Sequence, residues 1–213
     1  MAKGEYEATK ALHNILPENI PEPVAHGTLA AAPSKHFFLA EFRDMSDELP
    51  DTSELASIMA KIHSVLSATG KFGFHTTTFQ GNVPFDNTWC DTWEELFTRS
   101  RFYMEALVKL HTNAAKIVMR NMLSTEREIQ GPDEEMDELA EKLLRKVIPR
   151  LIRPMETGGN KIKPVLLHAD VWHGNVGIDM QTDAPVLYDC ASFYGHNECT
   201  STQSDIMLNL LMI

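Results

Sequence analysis

The chain has 213 residues, a formal net charge of −11, 43% hydrophobic residues and 23% charged residues. An acidic balance without a basic patch argues against recognition of nucleic acid through its phosphates, so any bound nucleotide would need a divalent cation for charge neutralisation. Cys90, Cys190 and Cys199 are scattered with no C-x-x-C spacing, which argues against a disulfide framework or a structural zinc site.

The N-terminal "MAKGEYEATKALHNIL" has no apolar signal-peptide core, and no stretch reaches the ~20 apolar residues that span a bilayer. A cytoplasmic protein is expected. Ala8, Leu12, Ile15 and Leu16 within "EYEATKALHNIL" predict a short helix, ended by Pro17, Pro21 and Pro23 in an extended loop. His36 to Phe42, "HFFLAEF", reads as a buried strand, and "MSDELPDTS" as a link between two lobes. Leu55, Ile58, Met59, Ile62, Val65 and Leu66 form one stripe of an amphipathic helix, closed by Gly70. "TGKFGFHTTTFQGNVPFDNTW" reads as an ordered loop.

One further helix is expected from near Trp89 into the 110s. Another carries Met136, Leu139, Leu143, Leu144, Val147, Ile148 and Leu151, and "ETGGNKIK" breaks it. "PVLLH", "VGID" and "PVLYD" then read as short strands, the turn between the last two bringing the strands side by side. The order of elements is an α+β pattern, with a small N-terminal piece and a larger helical body.

Three polar residues stand at the ends of these strands. Asp170 lies two residues beyond "PVLLH", Asn175 five residues further on, and Asp189 ends "PVLYD". Phosphoryl transfer uses such a set: one carboxylate orients the attacking hydroxyl, while an amide oxygen and a second carboxylate hold Mg²⁺. H-x-D-x4-N followed by a strand-terminal Asp matches the catalytic-loop logic of kinases. The same residue types also serve as turn formers and caps. His168, Asp170, His173, Asp189 and His196 allow a second chemistry, a zinc or dinuclear hydrolase centre, although Asn175 would have no role in it.

"LLHADVWHGNVG" followed by "VLYDCASFYGHNE" resembles the fructosamine (ketosamine) 3-kinases, as do "GEYEATKALH", "HFFLAEF" and the Gly- and Thr-rich loop, in the same order over residues 4–198. The resemblance implies a protein-kinase-like fold. Residues 1–45 would be a remnant of the small N-terminal lobe with the hinge, and 46–213 a mostly helical C-terminal lobe. It implies ATP and Mg²⁺ as cofactors, glycated proteins or small ketosamines as substrates, and phosphorylation of the 3-hydroxyl, which leads to deglycation. By position, Asp170 would be the catalytic base and Asn175 and Asp189 the Mg²⁺ ligands. Glu41, Phe42 and Arg43 would meet adenine, chiefly through backbone groups. Glu5 would match the helix Glu that pairs with a phosphate-binding Lys. Trp172, Asp86, Asn87 and Trp89 would lie on the substrate side.

The sequence departs from that family at Ala169, where Gly is usual, at His173, where Ser is common, and at Cys190, where Pro is common. Only four residues precede Glu5, too few for a Gly-rich loop and a strand Lys, and the similarity stops after Glu198. The expectation is a chain truncated at both ends, with a non-catalytic, pseudokinase-like binding module as the alternative to an active kinase.

Overall fold

A computed structural model of the chain describes residues 1–46, 48–81, 83–99, 135, 138, 139 and 142–202. Helix α1 (Ala2–His13) turns Ala8 and Leu12 fully into the core, and Leu16 and Ile20 extend that apolar row past its end. Gly4 makes the packing possible. A Cβ there would lie 2.2 Å from the Thr77 carbonyl oxygen, so only glycine lets the helix approach the 77–78 backbone this closely.

Where the prolines predict only an extended loop, strand β1 (Pro23–Leu29) pairs antiparallel with β2 (Ala32–Ala40). Pro23 is the first residue of its strand, a position where a missing N–H costs no ladder bond. The second strand is not buried as predicted: its residues are exposed or only partly covered. Phe38 and His26 meet the Tyr6 ring of α1 at centroid distances of 6.2 and 4.8 Å, whereas Phe37 and Leu39 point the other way and are exposed.

The presumed link contributes β3 (Met45–Ser46) and then helix α2 (Thr52–His63), whose first turn is capped by Asp51 accepting the Ser53 N–H at 2.8 Å. Leu55, Ile58, Met59 and Ile62 are buried as the periodicity predicts. The helix stops well before Gly70, because Leu66 leaves it to bridge Val165 and becomes exposed. Inside the predicted loop, β4 (Phe79–Gln80) and β5 (Val83–Pro84) form a small hairpin.

Residues 93–99 are helical, and Glu156 caps their start by accepting the Trp93 and Glu94 N–H groups at 2.7 and 2.8 Å. The rest of that predicted helix, and Met136, lie outside the described residues. The second predicted helix is observed in part, and its apolar stripe splits. Leu144 and Ile148 are buried with Ile152, while Leu139, Leu143, Val147 and Leu151 are exposed. The turns at Leu143–Val147 are π-helical before the α-helix Ile148–Ile152 resumes, and only one of two adjacent apolar rows faces the core.

The late strands form two separate sheets. β7 (Val176–Asp179) lies between β3 and β8 (Pro185–Leu187), as the turn between "VGID" and "PVLYD" predicts. "PVLLH" supplies β6 (Val165–Leu167), which pairs not with these strands but with β9 (Phe193–Gly195), an element absent from the sequence reading. The mixed helix-and-strand class therefore stands. No helix among the described residues is long and apolar enough to cross a membrane.

Candidate functional site

The chain leaves β6 through His168 and Ala169 to reach Asp170. Ala169 has φ of +66°, in the left-handed region where its Cβ is strained and glycine would be unstrained. His168 is fully buried: its Nδ1 accepts the Asp170 N–H at 3.3 Å, and its Nε2 faces the Cys190 Sγ at 3.5 Å. Burial pushes the His168 imidazole down to about 4 and the Cys190 thiol far up, so both are neutral packing groups at physiological pH.

Asp170 is 9% exposed and both of its carboxylate oxygens are held. Oδ1 accepts from the Gln80 Nε2 at 2.8 Å, and Oδ2 accepts from the Asn175 Nδ2 at 3.1 Å. Burial raises its pKa and the Asp189 charge adds to the rise, against the lowering effect of the two amide donors. Asn175 lies in the 3₁₀ turn His173–Asn175 and also donates to the Asp170 main-chain carbonyl at 2.9 Å. With Nδ2 committed twice, its Oδ1 accepts no hydrogen bond among the described residues.

Asp189, just past β8, has φ of +56° and is exposed, with no hydrogen bond or ion pair among the described residues. Its charge raises the pKa of both Asp170 and Glu5; for Glu5, burial is the larger cause. Asp170, Asn175, Asp189 and Glu5 thus share one region. Two oxygen donors there, the Asn175 Oδ1 and the Asp189 carboxylate, remain unspent, which fits a hard divalent cation.

The segment after β2 lines a cleft of about 610 Å³ together with residues around His173, Val176 and Tyr188. Phe42 is 87% exposed. The side chains beside it are structural. Arg43 contacts Glu41 at 2.9 Å and Asp179 at 3.3 Å, and donates to the Pro17 and Glu18 carbonyls. The Glu41 N–H is spent on the Glu22 carbonyl, while the Phe42 main chain makes no hydrogen bond among the described residues. Tyr188 ties the cleft to the Asp170–Asn175 segment through its hydroxyl, which donates to the Gly174 carbonyl at 2.8 Å.

Trp172 is 41% exposed and its ring lies over Gly174, where a Cβ would come within 2.5 Å of the indole. Asp86, Asn87 and Trp89 line a different cleft of about 290 Å³, together with Phe74 and His75. The Asn87 side chain turns inward there: it is buried and its Nδ2 donates to the Thr76 carbonyl and to Thr78 Oγ1. Asp86 closes a local turn by accepting from Thr88, and the Trp89 ring packs on Tyr194. None of these three bonds Asp170. The loop residue that does so is Gln80, which no spacing rule singled out.

The histidine set of the hydrolase alternative is dispersed. His168 is sealed in the core, His173 packs against Trp172, and His196 stacks on Trp93 while accepting the Glu198 N–H. Among the described residues no three His, Cys, Asp or Glu side chains gather as metal ligands.

A family model described as fructosamine kinase matches residues 1–207. Protein-ribulosamine 3-kinase, chloroplastic, of Oryza sativa subsp. indica is 26% identical over 200 residues, covering 93% of this chain and 50% of that protein. Ketosamine-3-kinase of Mus musculus is 35% identical over 128 residues, covering 60% of this chain and 33% of that protein. The crystal structure of a candidate fructosamine-3-kinase from Thermobifida fusca superposes with a TM-score of 0.62 at 20% identity, over 98% of this chain and 62% of that one, a likeness of fold. The chain spans about half the length of the curated ribulosamine kinases it matches.

Proposed function

The chain belongs to the fructosamine kinase family, and we propose that it transfers the terminal phosphoryl group of ATP to the 3-hydroxyl of a ketosamine, a ribulosamine or fructosamine carried on a protein lysine. The observation that carries this reading is the Asp170 carboxylate, deeply set and held through both oxygens, beside an Asn175 and an Asp189 whose own oxygens are unspent.

In this reading Asp170 accepts a hydrogen bond from the substrate hydroxyl and aims it at phosphorus. The hydroxyl oxygen bonds to the γ-phosphorus, the bond to the ADP oxygen breaks, and the hydroxyl proton passes to Asp170. Burial, by making the carboxylate more basic, favours that uptake. Asn175 and Asp189 would hold Mg²⁺, which when bound neutralises charge on the phosphate oxygens. Adenine would enter the cleft beside Phe42, with the main chain of 41–43 as its hydrogen-bonding edge. Trp172 offers an exposed ring to the substrate, with Asp86 and Trp89 as further substrate-side candidates in the neighbouring cleft, while the buried Asn87 braces that loop. Glu5 stands where the helix carboxylate that pairs with a phosphate-binding lysine would stand. We assign 1–45 to the small lobe and hinge, 46–213 to the helical lobe of a protein-kinase-like fold, and a cytoplasmic setting to the whole.

Incubation with ATP, Mg²⁺ and a ribulosamine, read by ³¹P NMR, should show a 3-phosphate. Asp170→Ala should lower the rate by about 10²- to 10⁴-fold, the usual contribution of a positioned acid–base group. Thermal stabilisation by Mg-ATP with no phosphate ester formed would instead identify a nucleotide-binding module without catalysis and sink the proposal.

A further inference from the structure

Outside Asn175, Asp189 and Glu5, one further side chain reaches the Asp170 carboxylate. Gln80 ends β4, and its Nε2 donates to Asp170 Oδ1 at 2.8 Å across a sequence separation of 90. The element that carries it is braced. Thr78 is fully buried and donates to the Ala191 carbonyl at 3.0 Å, two residues past Asp189. Asn87 donates to the Thr78 hydroxyl at 2.7 Å, and the Phe85 N–H donates to the Thr78 carbonyl at 2.8 Å. The carboxamide therefore arrives next to a braced, buried Thr78.

With Gln80 on Oδ1 and Asn175 on Oδ2, rotation of the carboxylate breaks one bond or the other. An ionised carboxylate offers about four lone-pair positions, so two remain open for a substrate hydroxyl. A neutral amide also orients without neutralising: a lysine or arginine in its place would form an ion pair and depress the basicity of Asp170. Among the described residues Asp170 has no ion pair.

We propose that Gln80 is a positioning residue for the phosphoryl transfer: its carboxamide locks the Asp170 carboxylate in one orientation and couples the β4–β5 hairpin to the reaction centre. The assignment rests on the function proposed above, and the test separates the two.

The full chain is assayed as wild type, Gln80→Leu and the isosteric Gln80→Glu, with melting midpoints recorded. Gln80→Leu should lower kcat by about 10- to 100-fold, the range expected for a hydrogen bond to a charged group, with KM for Mg-ATP unchanged. Gln80→Glu, which sets a like charge against Asp170, should lose at least as much despite its shape. A side chain that merely fills space would be rescued by Glu, and retained kcat in Gln80→Glu would overturn the proposal.

The second readout needs no turnover. With selectively ¹⁵N-labelled glutamine, the Gln80 carboxamide resonances should move in Asp170→Ala, and their failure to move would also overturn it. If the wild-type chain forms no phosphate ester while those resonances do move, the kinase reading falls and the orientation of Asp170 by Gln80 stands.

Discussion

Glu5 sits on α1 half-buried, with no cation paired to it among the described residues and with Asp189 close enough to act on its charge. Burial first, and Asp189 second, raise its pKa above the unfolded value, so the folded chain holds this proton more tightly than the unfolded one. The sign follows: the group's contribution to stability is greatest below the unfolded value of about 4.3, falls as pH rises through the folded pKa, and is least at neutral pH. Glu5→Gln should therefore raise the melting midpoint at pH 7 and have little effect near pH 3.5, as calorimetry at the two pH values can check. At this scale the sequence is informative about Asp170, Asn175 and Asp189, because a motif with fixed spacing carries them. It is uninformative about Gln80, since a hydrogen bond spanning 90 residues leaves no trace in local spacing. Ala169 is a further case. It occupies the position where the family resemblance leads one to expect glycine, and the left-handed backbone there turns an ordinary-looking substitution into a point of strain next to the Asp170 carboxylate.

The helical run around Leu143–Ile152 shows what periodicity leaves open. Leu144 and Leu151 both belong to the apolar pattern of the sequence, yet Leu144 is 2% exposed and Leu151 is 65% exposed. Leu144→Ala should cost about 2–5 kcal/mol by removing buried methyl groups and leaving a cavity, while Leu151→Ala should stay within about 0.5 kcal/mol. Urea denaturation of both variants tests the assignment, and equal costs would contradict it. Hydrophobic periodicity identifies the helix, but two apolar rows lie side by side on it, and only packing against the rest of the chain decides which is buried. The hairpin of β1 and β2 fails to declare itself for a different reason. Its strands expose most of one face, so the alternation that signals a half-buried strand is weak.

Across the whole molecule, Arg43 links segments that are remote in sequence. Its guanidinium meets Asp179 at the end of β7, Glu41 after β2, and the carbonyls of Pro17 and Glu18 beyond α1. Five N–H donors in a rigid fork suit it to such a junction, and lysine would satisfy fewer of these acceptors. Arg43→Met should lower the melting midpoint by several degrees and Arg43→Lys should recover only part of the loss, while an unchanged midpoint in Arg43→Met would show the junction to be inert. Its resemblance-based role beside adenine is thereby narrowed: the guanidinium is committed to the fold, and only the main chain at this position is available to a ligand.

Sequence alone determined the α+β class, the core face of α1 and α2, the family, and the three polar residues at the strand ends. Each of these follows from a short-range pattern: helical or alternating burial, turn chemistry, or fixed motif spacing. Tertiary structure decided the rest. It paired β6 with β9, turned Asn87 inward, split an apolar stripe into a buried and an exposed row, and brought Gln80 to Asp170. These outcomes depend on which distant backbones approach closely enough to bond. At Gly4 the missing Cβ lets α1 meet residues 77–78, and the buried Thr78 in turn braces the hairpin that carries Gln80. Such contacts join segments whose separation along the chain is not written in either one.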